Sequence, residues 1–322
     1  MQAASLIHWP QPITEYIGFI GSLLPAGAIG FRYAVMRGAI ARGERAGGDA
    51  TRRRVYSDTA RRAAAVGLIG VIVAIALMFY QLPGLAARKH TTVSQVLTHT
   101  ASVEIQAGFL LLALIGFLIA LRGTNAGWIL ATVGFLAALL RNGLLGQWRD
   151  LANPLHVLAA GLWIGTLFVM IVAGIAVVMR SEVARDQRGI IVSDMVYSFS
   201  PLALTAAAVL VLFGLIIAWE HLHVLSNLWS SPYGIALIVK LCFVAMVFAL
   251  GAWNWRRQKP TLGSEGAAIA IRRSATSEVA VAALVLAATA VLLSIPAPRA
   301  QKPPGAPSGA VPPAAAANAP AP

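Results

Sequence analysis

The sequence predicts an all-α, polytopic membrane protein with about eight transmembrane helices and both termini on the periplasmic side. Three observations carry that prediction. Hydrophobic residues make up 58% of the 322-residue chain and charged residues only 11%, against roughly 25% charged in a soluble domain. Apolar runs recur at the length of about 20 residues that a bilayer crossing needs. The basic residues are concentrated in alternate loops, as the positive-inside rule requires of cytoplasmic loops. The same placement removes nucleic acid as a partner, because the net charge of +13 is spread over short connections rather than gathered on one surface.

Taken in order, the first apolar segment covers 14–36. No basic stretch followed by an apolar core precedes it, so it is expected to stay in the membrane rather than be cleaved. The loop after it holds Arg37, Arg42, Arg45, Arg52, Arg53, Arg54, Arg61 and Arg62. It reads as a cytoplasmic, partly flexible segment in contact with anionic lipid. The second segment covers 63–83. The third, 105–122, and the fourth, 126–146, are joined by the short polar turn Arg122 to Gly127 and should form an antiparallel hairpin. The fifth covers 154–179. Pro154 suits its first turn, and Gly161 and Gly165 make a small-xxx-small pair that admits a neighbouring helix closely. The sixth covers 200–220, the seventh 232–254 and the eighth 277–296. Arg122 lies in the third loop, Arg180, Arg185 and Arg188 in the fifth, and Arg256, Arg257, Lys259, Arg272 and Arg273 in the seventh. The intervening loops carry only Arg88, Lys89 and Arg149. The odd loops are therefore cytoplasmic. The chain divides into a four-helix half (1–152), a second four-helix half (153–296) and a Pro/Ala-rich periplasmic tail (297–322) that cannot build a core and should be disordered.

In this topology all six histidines fall on the outer side: His8, His90, His99, His156, His221 and His223. Imidazole is the commonest protein metal ligand, and it suits copper and zinc. His221 and His223 share a face only on extended backbone, so they can chelate one ion only if the sixth helix ends near Glu220. Glu220 would add an oxygen or orient a ring. An interfacial histidine pair without a ligand is the competing reading. On the fifth helix His156 and Trp163 are seven apart and share a face, with Met170 two turns deeper. On the seventh, Lys240 lies roughly 12 Å along the helix from its outer end. A charge at that depth is expensive, which marks a transport path or gate, unless the side chain snorkels outward. Arg141 is expected to snorkel or to pair with Glu220 or Asp150. The single cysteine, Cys242, excludes a disulfide framework and a Cys-x-x-Cys site.

The second half resembles the bacterial copper resistance protein D family. The resemblance rests on Leu155 to Gly165 (LHVLAAGLWIG), Tyr197 to Ala203 (YSFSPLA), Tyr233-Gly, Lys240-Leu, Asn254 to Arg257 (NWRR) and Glu278 opening the eighth helix. It covers about residues 153–296, and it departs from the family at Arg141-Asn142, where related sequences often carry a histidine. The resemblance implies copper handling across the inner membrane beside a periplasmic copper-binding protein, with His156 as the matched histidine.

The expectation is copper transport or copper resistance in a bacterial inner membrane. Copper is the ion, membrane lipid the surrounding partner, and His156, His221, His223, His99 and His90 the outer ligands. Lys240, Trp163, Met170 and Glu220 form the path or gate. No P-loop or phosphorylated-aspartate motif is present, so no ATP hydrolysis and no enzyme activity is expected. Two alternatives stand: a b-type haem subunit with His156 and His221 as axial ligands, and an accessory membrane subunit whose histidines are incidental.

Overall fold

A computed structural model describes residues 10–45, 47, 50–222, 224–258 and 265–295. Among them every regular element is a helix. Eight helices are long and apolar enough to cross a membrane: Pro10–Arg45, Ala50–Lys89, Ala101–Ala120, Asn125–Gly143, Ala152–Arg180, Gln187–Leu222, Pro232–Arg256 and Ile269–Ser294. They are called the first to eighth helices below.

Each predicted segment is present, but several run well past their predicted ends. Hydropathy marks only the apolar middle of a helix, whereas Ala, Arg and Glu continue it as strong helix formers. The arginine-rich first loop, expected to be partly flexible, is helical through Arg45 and again from Ala50. The eighth helix starts at Glu265 rather than 277, so Glu278 lies inside it rather than opening it. The sixth runs through Leu222 rather than stopping at Glu220.

The third and fourth helices form the expected hairpin. Thr124 caps the fourth by accepting the Gly127 N–H at 3.3 Å, and Gly123 turns the chain at φ +82°. The two backbones touch: a Cβ on Gly116 would sit 2.1 Å from the Ala131 nitrogen. The first helix meets the fifth in the same way. A Cβ on Gly27 would lie 2.2 Å from the Gly165 carbonyl carbon, and the Thr166 hydroxyl donates to the Gly27 carbonyl at 3.4 Å. The fifth helix is the centre of the molecule. Protein encloses 67% of its apolar core, against 11% for the sixth and for the seventh.

The outward sides of the sixth and seventh helices present Leu204, Leu215 and Ile235, an apolar exterior of the kind a membrane-spanning helix carries. Exposed Trp219 and Trp229 lie toward one end of the bundle, and Trp253 and Trp255 toward the other, an aromatic belt at each interface. Gln11 donates to the Leu293 carbonyl at 3.4 Å, so the beginning of the first helix and the end of the eighth share one face. The ends carrying His90, His99, His156 and His221 lie on that same face, and the arginine-rich connections lie on the other.

Candidate functional site

The site is built around the fifth helix. A 3₁₀ turn, Trp148–Leu151, leads into it, and His156 sits in its second turn. Its Nδ1 lies 3.0 Å from the Leu210 carbonyl of the sixth helix. A carbonyl only accepts, so Nδ1 carries the hydrogen and donates. In the neutral ring Nε2 is left with its lone pair. Gly214 makes room for the ring, since a Cβ there would stand 3.1 Å from the His156 Cε1. His156, Trp163 and half-buried Lys240 line a cavity of about 220 Å³ whose other walls are mainly Leu and Val from the fifth to eighth helices.

Trp163 and Met170 both lie on widened π-helical turns, Gly161–Gly165 and Met170–Ile175. Such turns change the facing of the residues that follow and recur at functional sites. The Trp163 ring packs on Phe248 of the seventh helix, centroids 4.8 Å apart at 44°. Beyond it, toward the arginine-rich face, lies a second cavity of about 390 Å³. Trp163, Met170, Ser200, Asn254, Trp255 and Glu278 contribute to its lining. Among the described residues Trp163 is the one side chain common to the two linings.

Sequence reasoning missed the polar pair in the second cavity. The Asn254 amide donates to Glu278 Oε1 at 2.6 Å, joining the seventh and eighth helices. The signal was available, since Asn254 lies on the same heptad stripe as Lys240 and Glu278 is a carboxylate in an apolar run. Starting the eighth helix at 277 moved Glu278 to the membrane edge and hid it. Tyr197 meets Trp255 edge-on at 6.3 Å and 87°, and Arg42 stands 5.6 Å over the Tyr197 ring. The stretches at 197–203, 254–257 and 278 thus come together at one end of the bundle.

The remaining predicted residues are not gathered there. His221 is helical, its Nδ1 donating to the Ile217 carbonyl at 2.8 Å and its ring stacked on Tyr233 at 5.7 Å and 9°. The helix continues past Glu220 because this turn is satisfied locally, so His221 lacks the extended backbone that a His-x-His chelate needs. His223 and His8 lie outside the described residues. His221 and Glu220 line an open vestibule of about 730 Å³ with Arg141, Asn142, Asp150 and Asn153. Arg141 makes neither expected ion pair among the described residues. It donates to the Ala138 carbonyl at 3.0 Å, and its Nε is buried without a partner. His90 and His99 are exposed near the ends of the short helix Val93–His99 and line neither bundle cavity. No three of His, Cys, Asp and Glu cluster among the described residues. The His156 and His221 rings face different cavities, an arrangement unlike a pair of axial haem ligands.

The family model described as copper resistance protein D matches residues 193–292. The Bacillus subtilis (strain 168) protein named copper transport protein CutJ is 29% identical over 151 residues, which is 46% of this chain and 25% of that relative. The chain thus spans about a quarter of the relative it matches. No solved structure matches it. The matched segment supplies Asn254, Glu278 and Lys240, whereas His156, Trp163 and Met170 precede it.

Proposed function

We propose that this chain, a copper resistance protein D relative over residues 193–292, carries copper across a bacterial inner membrane as a transporter rather than an enzyme. The histidine-bearing face is periplasmic and the arginine-rich face cytoplasmic, in keeping with the positive-inside rule. One observation carries the reading. His156 is held by Leu210 through Nδ1 and lines a cavity between helices, and that bond leaves the Nε2 lone pair unused. A neutral imidazole nitrogen is a ligand copper takes, and a polar group facing such a cavity is the usual mark of an ion pathway.

Copper arrives from a periplasmic copper-binding protein at the vestibule of Glu220 and His221, with His223, His90 and His99 as outer ligands. It passes to His156, beside Lys240. The ammonium of Lys240 repels a second cation and limits the cavity to one. Trp163 on Phe248 is the gate, and Met170 offers a thioether beyond it. Transport needs no nucleotide and is driven by handover or by another ion.

The test is copper bound per purified protein in detergent, under reducing and oxidising conditions, followed by uptake into proteoliposomes. Wild type should bind and transport copper. His156→Ala should lower both, and His221→Ala should lower binding alone. Absence of copper binding by wild type overturns the reading, and an absorption band of haem in the same sample would replace it with the redox one.

A further inference from the structure

We propose that Glu278 and Asn254 form a cation–proton exchange site on the arginine-rich side of this route, where the departing cation is replaced by a proton. The inference rests on the transport reading and pairs each entering cation with one leaving proton.

Glu278 lies five residues past Arg273 on the eighth helix, roughly 8 Å along its axis, where the sequence turns apolar. It is half-buried and opens to the second cavity. A carboxylate at that depth is costly unless it is paired, protonated or in use. Asn254 satisfies one position on Oε1 at 2.6 Å, and no ion pair to Glu278 exists among the described residues. The charged group sharing its cavity is Arg256 of the seventh helix. Arg272 and Arg273, on its own helix, line a separate groove with Met179 and Thr276. The fifth and sixth helices bring no titratable side chain to this cavity; they bring Met170, Ser200 and the Trp163 plug. One carboxylate therefore faces a space that holds a thioether and is divided from the His156 cavity by Trp163.

The exchange balances for a monovalent cation such as reduced copper. The ion held by the Glu278 carboxylate and the Met170 sulfur leaves to the cytoplasmic water. A proton from that water adds to the carboxylate, which becomes a neutral acid. No net charge is left behind, and the acid then gives its proton to the periplasmic side before the next ion binds, so one proton leaves for each cation that enters. Protonation at each turnover clears the site, so the cavity does not become a sink.

Glu278→Gln tests the mechanism without removing the tether. The amide oxygen still accepts from Asn254, but the group no longer takes up or releases a proton between cycles. Wild type, Glu278→Gln and Glu278→Asp are reconstituted with a pH-sensitive dye inside the vesicles, and Cu(I) is added outside. Wild type should move protons in step with copper. Glu278→Gln should lose proton movement and at least tenfold of its copper uptake while unfolding in detergent at the wild-type temperature, and Glu278→Asp should restore part of both. Proton movement by Glu278→Gln equal to wild type overturns the exchange site. Copper uptake by wild type with no proton movement overturns it too, and leaves the transport reading intact. No copper uptake by wild type overturns both.

Discussion

Gly27→Ala is the sharpest test of how the site is held. A Cβ on Gly27 would be 2.2 Å from the Gly165 carbonyl carbon, 2.4 Å from its oxygen and 2.7 Å from its Cα. All three are backbone atoms, so no rotamer change relieves the clash. Restoring a van der Waals contact of about 3.5 Å between carbons requires the first and fifth helices to separate by more than 1 Å at their crossing. Interfaces of small residues gain their stability from close backbone approach, and overpacking of this kind costs typically about 1–3 kcal/mol. At roughly 2–4 °C per kcal/mol for a large domain, thermal unfolding in detergent, followed by circular dichroism, should begin about 5 °C lower. Gly108→Ala is the matched control. It lies within the third helix with nothing within 4 Å of its would-be Cβ, and an alanine in a helix interior is favoured by up to about 1 kcal/mol. The same chemical change should thus destabilise at 27 and leave stability unchanged or raised at 108. Equal shifts for the two variants would refute the account of a backbone-to-backbone crossing that fixes the fifth helix.

Two further outcomes concern the route. Trp163→Ala joins the cavities on its two sides and should cost about 3 kcal/mol of stability from the volume left empty. Since about 1.4 kcal/mol off a barrier is tenfold in rate, copper should leak from loaded proteoliposomes at least about tenfold faster, while Trp163→Phe keeps the leak low; equal leak from the alanine variant and wild type excludes Trp163 as the barrier. Gly214→Ala places a Cβ 3.1 Å from the His156 Cε1 and 3.5 Å from its Nδ1, pushing the ring off Leu210. With a hydrogen bond worth about 1 kcal/mol at stake, copper affinity should fall up to about fivefold in a titration while thermal stability does not fall. Unchanged affinity would show that the ring's anchoring does not matter for the metal.

The number of helices, their order and the third–fourth hairpin were legible because each rests on a local property: apolar length, a polar turn, a pair of glycines. Helix ends were not. The residues that extend the second and eighth helices, such as Arg52 to Arg54 and Arg272-Arg273, are polar to a hydropathy scale and helical to the backbone. That error reached the site, because misplacing the start of the eighth helix hid Glu278. The face shared by His156, Trp163 and Met170 was readable from seven-residue spacing, and those side chains do follow one another along the two cavities. The π turns that aim Trp163 and Met170 were not readable, since no residue pattern in this chain announces an extra residue in a turn. The partner of Arg141 was guessed from charge, but its guanidinium donates to the Ala138 carbonyl of its own helix, although Asp150 and Glu220 line the same vestibule.

The two cavities differ in a way that would give the proposed route a direction of handover. On the histidine-bearing side the proposed ligand is a neutral imidazole, and the charged side chain lining the same cavity is Lys240. A cation there is bound through a lone pair and opposed by a like charge, so it is held without being trapped, the balance that conduction through a membrane requires. Past Trp163 the fixed group is a carboxylate, which attracts the cation that the lysine repelled. The arginines at the far face would then oppose its exit from so favourable a place. A carboxylate that can be neutralised by a proton removes that difficulty, because the attraction ends at the moment of release. A permanently charged group such as an arginine-paired aspartate could not do this. That is why a carboxylate tethered by the neutral Asn254 amide suits the release step as the neutral imidazole suits the capture step.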